Sequence, residues 1–370
     1  MGQLQTRHAE IAGCGFTGFV AAIILRQQGW TVTMHEKAET LRPMGAGIML
    51  WENGLRVLEQ CNVLEEVLAD SVQPPFYETR VHDTTVSKEN FGGARFRTMA
   101  RATLHNALAR EAIRLGVEIR VNSEVVSASP EGTLTLASGE VREADLVIGA
   151  DGAGSRVRDS LGFEVKRSWS RDGISRVLIE RDPEYVGGIW DNVIDMWNFA
   201  PRTMRVLYVP CNEKYLYLGL MAPVEDEEAS RIPLVYDAWV EMFPHLAKAL
   251  KRVSALPEAR RDQYQTSEVD AWHKGSVAIV GDAAHAMCPA LAQGAGTGMM
   301  NAYALARITG KAENVEAALP LWEARVRPIT DRCQQRSAWF AATRSMSRGY
   351  QFTAEMLETA NTDPVKLAEI

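Results

Sequence analysis

Gly13, Gly15 and Gly18 stand at G-x-G-x-x-G spacing, and much later the run VGDAAHAMCPALAQGAG, Val280 to Gly296, gathers Asp282, His285 and Cys288 ahead of Gly294 and Gly296. Glycines at the first spacing let a backbone close around a pyrophosphate. The second run admits two readings: a nucleophile or metal site made from its acid, histidine and cysteine, or backbone packed closely against a flat or charged ligand. The seven histidines form no H-x-x-x-H pair, and the five cysteines, Cys14, Cys61, Cys211, Cys288 and Cys333, form no C-x-x-C pair. A zinc site or a disulfide framework is therefore not expected, and no metal ligands are assigned. Chemistry beyond acid and base falls to an organic cofactor.

The glycine triplet needs a frame. In HAEIAGCGFTGFVAAIILRQQGWTVTMHEK a strand-like run ends at Ala12, an Ala/Ile/Leu-rich helical run follows Gly18, Gly29 closes it, and TVTMH reads as a second strand. That order predicts a βαβ unit. Gly13 permits the tight turn, Gly15 lets a pyrophosphate approach the backbone, and Gly18 allows helix and strand to pack closely, with the helix N-terminus offering N–H groups to the phosphate. Glu36, at the end of the second strand, is placed to accept hydrogen bonds from a ribose diol.

With 370 residues, 46% of them apolar and 24% charged, the chain has the composition of a globular protein with one large or two interleaved domains. No segment reaches the roughly 20 consecutive apolar residues of a membrane span. A formal charge of −7 argues against a phosphate-tracking surface, so neither membrane nor nucleic acid is expected as a partner. The N-terminal MGQLQTRHAEIAG carries no basic n-region leading into an apolar h-region, and a cytoplasmic protein is expected.

Two further stretches complete a pattern. ADLVIGADGAGSRVRDSLG, Ala144 to Gly162, runs an apolar strand into Asp151-Gly152, and the later run brings another into Gly281-Asp282. With the glycine triplet these fingerprints resemble, in order and spacing, the class A flavoprotein aromatic hydroxylases, the para-hydroxybenzoate hydroxylase-like FAD monooxygenases. The resemblance implies an α/β fold: an FAD-binding Rossmann-like domain of the GR2 type, an inserted, mostly antiparallel β-sheet substrate domain, and a C-terminal helical tail. Residues 1–73, 98–164 and 271–370 are expected on the FAD side and 74–97 and 165–270 on the substrate side. Strand-like alternation in NVIDMWNFAP, TMRVLYVP and KYLYLGLMAP, followed by helical PLVYDAWVEMFPHLAKALKRV, agrees with that insertion.

The resemblance also implies roles. FAD is the cofactor, held by Gly13, Gly15, Phe16, Thr17, Gly18, Glu36, Lys37, Arg42, Gly47, Arg101, Val125, Asp151, Gly281, Asp282, Pro289, Gly294, Ala295 and Gly296. The helix after Gly294 would point its N-terminus at the flavin pyrimidine, favouring negative charge on the reduced ring. His285 then reads better as a packed residue than as a nucleophile. Because no second glycine-rich unit exists, NADH or NADPH is expected to dock transiently, with O2 as co-substrate. The family's habit also implies a homo-oligomer, dimer or tetramer.

Within the family, GAGIMLWENGLRVLE, PPFYETRVHDTTVSKENF, IDMWNFAPRTMRVLYVPCNEKYLYLGLMAP and VEMFPHL resemble a branch that acts on 3-hydroxypyridine carboxylates. That resemblance implies hydroxylation and ring opening through a flavin hydroperoxide, as in vitamin B6 degradation. It names Tyr217, Arg205 and Tyr77 as catalytic, and Arg176, Tyr264, Met49, Cys288, Pro289 and Ala290 as further substrate contacts. An arginine can clamp a ring carboxylate and a tyrosine hydroxyl can hold the 3-oxygen. Met49 stands where that branch carries a tyrosine, so either packing or a changed ring substituent fits there. Action on 5-pyridoxate or a hydroxynicotinate, and a flavin-binding redox sensor, stay open as alternatives.

Overall fold

The structure is a computed structural model and describes residues 6–41, 46–256, 260–343 and 351–369. The chain begins with β1 (His8–Ala12), α1 (Phe16–Gln27) and β2 (Thr31–His35), then β3 (Gly47–Trp51), α2 (Glu52–Gln60), β4 (Tyr77–Val81), β5 (Thr84–Glu89) and β6 (Phe96–Ala100). It continues with α3 (Arg101–Arg114), β7 (Glu118–Arg120), β8 (Leu146–Gly149), α4 (Arg156–Ser160), β9 (Val165–Glu180), β10 (Val193–Asn198), β11 (Met204–Pro210) and β12 (Tyr215–Pro223). The last part holds β13 (Arg260–Val269), β14 (His273–Lys274), β15 (Val277–Ile279), α5 (Gly294–Lys311) and α6 (Val315–Thr343).

Apolar runs such as LVIG and VAI lie in a six-stranded sheet of order β14-β15-β8-β1-β2-β7, parallel except for β14. Its central strands are covered on both faces, which is why they read as continuous apolar runs rather than alternating ones. Helix α1 is buried from Gly18 through Leu25 among the sheet, α3 and α5. Trimming a fully buried side chain such as Ile148 to alanine should cost about 2–5 kcal/mol.

A second sheet of seven strands has the order β13-β9-β12-β11-β10-β4-β5. All its pairings are antiparallel except β4 with β10, where Tyr77 lies opposite Val193. The helices at Tyr236–Met242 and Ala247–Ser254 cover one face of it, burying Trp239 and Leu250 together with Phe243 from the link between them. The two sheets are bridged by the antiparallel ribbon β3–β6, with Gly47 opposite Ala100. The ribbon delivers Arg101 to the start of α3 and presses Gly47 onto Tyr217, where a Cβ on Gly47 would come within 2.5 Å of the tyrosine Cβ. No helix among the described residues is long and apolar enough to cross a membrane.

Candidate functional site

The glycine triplet acts as three different parts. Gly13 has φ +100 and donates its N–H to the carbonyl of His35 at 2.8 Å; a Cβ there would strike the carbonyl oxygen of Ala150 at 2.4 Å. Gly18 lies so close to Gly13 that a Cβ would sit 2.3 Å from its carbonyl oxygen. Gly15 differs: an added Cβ meets nothing within 4 Å, because its open side faces a cavity. The amides of Phe16 and Thr17 precede the first α1 bond, from Phe19 N–H to the Gly15 carbonyl at 3.0 Å, and they line the same cavity. This is a cradle for a phosphate group.

The second glycine-rich run closes the cavity from the other side. Gly281 has φ +63 and packs on Thr17, and Asp282 follows it at the cavity wall. Asp282 is exposed to the cavity interior yet surrounded by protein. That burial raises its pKa, while Arg101 and Arg176 pull the other way. Gly294 and Ala295 open α5 with its first amides toward the same space. A carboxylate for hydroxyl groups and a helix N-terminus for an electron-rich ring edge thus flank one end of the cavity. Gly296 sits just behind, against the Asn53 side chain.

His285 takes no part. It is buried, its Nε2 meets Asn301 Nδ2 at 3.0 Å, its ring lies beside Trp272, and burial lowers its pKa to about 4, so it is neutral at ordinary pH. Among the described residues no group of acids, histidines and cysteines could hold a metal ion.

The cavity encloses about 520 Å³ and extends from these loops to the seven-stranded sheet. The sheet contributes Arg176 from β9, Tyr217 from β12 and Tyr264 from β13; the ribbon contributes Gly47 and Met49; Arg101 and Pro289 complete the polar and apolar walls. Arg101 stacks over the Phe16 ring at 4.7 Å. Burial, and then repulsion from Arg176, lower its pKa, with Asp282 and Tyr217 opposing. Arg176 donates to Asp262. Burial works against its charge, but Asp262 and the neighbouring Tyr264 outweigh that and raise its pKa. Tyr217 is pushed up to about 12 by burial despite Arg176 and Arg205 nearby, so its hydroxyl keeps its proton. Burial also raises Tyr264, with Tyr217 adding to it. Gly219, directly along the strand, gives the Tyr217 hydroxyl room: a Cβ there would approach it to 3.1 Å.

Other expected residues stand back from the cavity. Arg205 and Tyr77 lie one layer behind, joined through Asp195, whose carboxylate receives Arg205 Nε at 2.5 Å and the Tyr77 hydroxyl at 3.3 Å. Cys288 offers its carbonyl to the Ser337 hydroxyl, and Cys288 and Ala290 flank the lining Pro289 without lining the cavity themselves. Asp151 caps α4, accepting from the amides of Arg156 and Val157 at 2.7 and 3.2 Å, while its neighbours Ala150, Gly152 and Ala153 face the cavity. Glu36 accepts from the Ala38 amide at 3.0 Å and the Cys14 amide at 3.4 Å, beside the phosphate loop. Lys37 is exposed, Val125 is buried at the start of a small three-stranded sheet, and Arg42 lies outside the described residues.

Five lining residues of the β9–β13 pair escaped the sequence: Trp169, Arg260, Asp262, Gln263 and Gln265. Alternation in the sequence there marks a strand but not which face meets a ligand. Asp195 escaped too, because an acid in IDMWN reads as a solvent-facing residue, whereas every residue of β10 from Val193 to Trp197 is buried.

The glycine loops, Asp282, the α5 N-terminus and an adjoining antiparallel sheet define a flavin-dependent oxidoreductase. The chain belongs to the FAD binding domain family, whose model matches residues 6–336. The tetrameric form of 2-methyl-3-hydroxypyridine-5-carboxylic acid oxygenase has the same fold with a TM-score of 0.95, at 55% identity over 98% of each chain. A putative 2-heptyl-3-hydroxy-4(1H)-quinolone synthase of Rhodococcus erythropolis is 38% identical over 90% of this chain and 87% of its own. The 6-hydroxynicotinate 3-monooxygenase of Bordetella bronchiseptica is 26% identical over 85% and 86%. By class the protein is an FAD-dependent monooxygenase of the class A hydroxylase type.

Proposed function

We propose that the protein uses NADH or NADPH and O2 to oxygenate, and then open, the ring of a 3-hydroxypyridine carboxylate resembling 2-methyl-3-hydroxypyridine-5-carboxylate. The observation that carries this reading is the convergence of Arg176 and Tyr217 on the same cavity that Gly15 and Asp282 line. Bound FAD supplies the redox chemistry, taking a hydride from the nicotinamide and delivering one atom of O2 while the other leaves as water. The residues present fit it: Gly15 leaves an open side where a pyrophosphate would lie, and Asp282 faces the cavity with a carboxylate suited to ribose or ribityl hydroxyls.

The remaining work falls to the substrate side. Arg176 is assigned to the ring carboxylate and Tyr217 to the 3-oxygen, with Arg205 and Tyr77 supporting the wall from behind through Asp195. A Tyr217 hydroxyl that stays protonated donates a hydrogen bond to that oxygen and orients the ring. Met49, Met287 and Pro289 keep water from the reacting edge. When oxygen reaches a ring carbon that bears methyl, no proton can leave from it, and addition of water with C–C cleavage opens the ring. The product is the substrate plus one oxygen atom and one water.

A quinolone of the kind named for the Rhodococcus relative carries a heptyl chain and no carboxylate. The arginines on and behind the cavity wall favour the carboxylate. We further propose that the six-stranded sheet with residues 1–73, 98–164 and 271–370 forms the FAD-binding part, and that residues 74–97 and 165–270 form the substrate part. The tetrameric neighbour supports assembly as a homo-oligomer.

Turnover of holoenzyme with 2-methyl-3-hydroxypyridine-5-carboxylate tests the reading. The expected product has gained one oxygen and one water and lost the ring absorbance. A product that keeps its ring would favour a hydroxynicotinate-type substrate, and NAD(P)H oxidation yielding only hydrogen peroxide would reject the pyridine assignment.

A further inference from the structure

The reaction needs a second dinucleotide, yet the inner end of the cavity is lined by both glycine loops that fit FAD, and the sequence holds no second G-x-G-x-x-G fingerprint. The outer end has a different construction. There β9 and β13 run antiparallel, with Trp169 opposite Gln265 and Gly173 opposite Gln263, so three residues of β9 face a single residue of β13. Such a bulge bends a strand and re-aims its side chains. This one is fastened: Gln263 Nε2 donates to the Ser170 carbonyl at 2.6 Å, and the Asp172 amide donates to the Ser170 hydroxyl at 3.1 Å.

Its result is that Trp169 lines the cavity while remaining 59% exposed. No ring or cation is stacked on it among the described residues. Trp30, Trp239, Trp272 and Trp322 are fully buried, and Trp339, 66% exposed, does not line the cavity. A pinned bulge that holds an indole in water at the edge of a ligand cavity provides a stacking platform. Arg260 also lines this edge with its side chain 63% exposed, tied through Nε to Asp262 at 2.6 Å. Arg167, two residues before Trp169 on the same strand face, is held only loosely by Asp159 at 3.7 Å. On a protein of net charge −7, an exposed indole on a cavity edge that also carries Arg260, with Arg167 two residues away on its own strand, suits an anionic ligand with a flat ring.

We propose that Trp169, with Arg260 on the same cavity edge and Arg167 two residues along its strand, docks the reduced nicotinamide dinucleotide, an inference that rests on the monooxygenase reading above. One ring of the coenzyme stacks on the indole, and the pyrophosphate lies along the arginines. From there the nicotinamide would hand its hydride, with both electrons, to FAD held by the glycine loops, with a proton drawn from solvent to complete the reduction.

The test is anaerobic reduction of holoenzyme by graded NADH and by NADPH, in the wild type, Trp169→Ala and Trp169→Phe. The coenzyme Kd is expected to rise about tenfold in Trp169→Ala and to recover largely in Trp169→Phe, since stacking on any aromatic face serves. Bound FAD, the limiting reduction rate and the Kd of the pyridine carboxylate from spectral titration should not move. Quenching of tryptophan fluorescence by NAD+ or NADP+ should accompany binding in the wild type and be lost in Trp169→Ala. A coenzyme Kd unchanged by Trp169→Ala would overturn the placement, as would a parallel loss of FAD or pyridine affinity, which would make Trp169 a wall of the inner site. Wild-type holoenzyme that neither coenzyme reduces would instead sink the monooxygenase reading, and this inference with it.

Discussion

The guanidinium of Arg205 lies flat along the carboxylate of Asp195, with Nε 2.5 Å from Oδ1 and Nη2 3.2 Å from Oδ2. The pair is buried between β10 and β11, and Arg205 also stacks over Trp197 at 4.8 Å. Removing one member of a buried pair leaves the other charge without compensation. Asp195→Ala should therefore lower unfolding free energy by about 3–5 kcal/mol, and the double variant Asp195→Leu with Arg205→Met should recover most of that loss. Urea titration of the wild type and the two variants checks this; equal losses in the single and double variants would mean the pair contributes packing alone.

Glycines 13 and 15 are expected to fail differently. Gly13→Ala forces a Cβ against the Ala150 carbonyl at a φ of +100, so the apoprotein itself should be destabilised. Gly15→Val adds bulk only toward the cavity. It should leave the apoprotein melting temperature where it was and weaken FAD binding at least about tenfold, as read by flavin fluorescence. A normal FAD affinity in Gly15→Val would remove the pyrophosphate from that loop.

Glu10, fully buried in β1, is held at a pKa of about 2 although burial pushes it up, because hydrogen bonds from His35, His8 and Arg142 outweigh that cost. A carboxylate with a depressed native pKa stabilises the fold above its unfolded value of 4.5 and loses that contribution as pH falls toward 2. Up to about 3 kcal/mol should disappear across that window. Glu10→Gln should be less stable at neutral pH and show a flatter stability profile between pH 5 and 3. Chemical denaturation at several pH values reads it, and parallel profiles for both proteins would refute the assignment.

For Tyr217→Phe the expected loss is in chemistry rather than folding. The ring that packs on Gly47 is retained and only the hydroxyl over Gly219 disappears. Flavin reduction should proceed, while a rising share of NAD(P)H oxidation ends as hydrogen peroxide. Because Tyr217 titrates near 12, it should add no pH dependence to turnover below about pH 10. Product yield per NAD(P)H, measured against pH, decides the point; full coupling in Tyr217→Phe would move the role elsewhere.

The cofactor side was the more legible part of the sequence. The G-x-G-x-x-G spacing marks the turn after Ala12, and Gly18 packs on Gly13 only five residues away, although the contact that excludes a side chain at Gly13 comes from distant Ala150. The strands in NVIDMWNFAP, TMRVLYVP and KYLYLGLMAP were equally plain, and form β10, β11 and β12. Less legible was what depends on distant pairing. Trp169 reaches the cavity only because β13, roughly a hundred residues later, leaves β9 a bulge to accommodate. Asp195 becomes an internal counter-ion only once Arg205 and Tyr77 arrive on both sides of it. Tyr217, Arg176 and Arg101 meet across three separate elements, and the family resemblance, more than any local pattern, singled them out.

The parallel contact between β4 and β10 also sets an order of events during synthesis. Tyr77–Val81 and Thr84–Glu89 leave the ribosome early, but the strand they must join, Val193–Asn198, emerges more than a hundred residues later. Until then the hairpin has no sheet, and a lone two-stranded hairpin is at best marginally stable. Tyr77, whose strand partner is Val193, must wait exposed for the same interval. Nascent chains of this protein should therefore be most prone to aggregate, and most in need of chaperone holding, between release of residue 89 and arrival of residue 198.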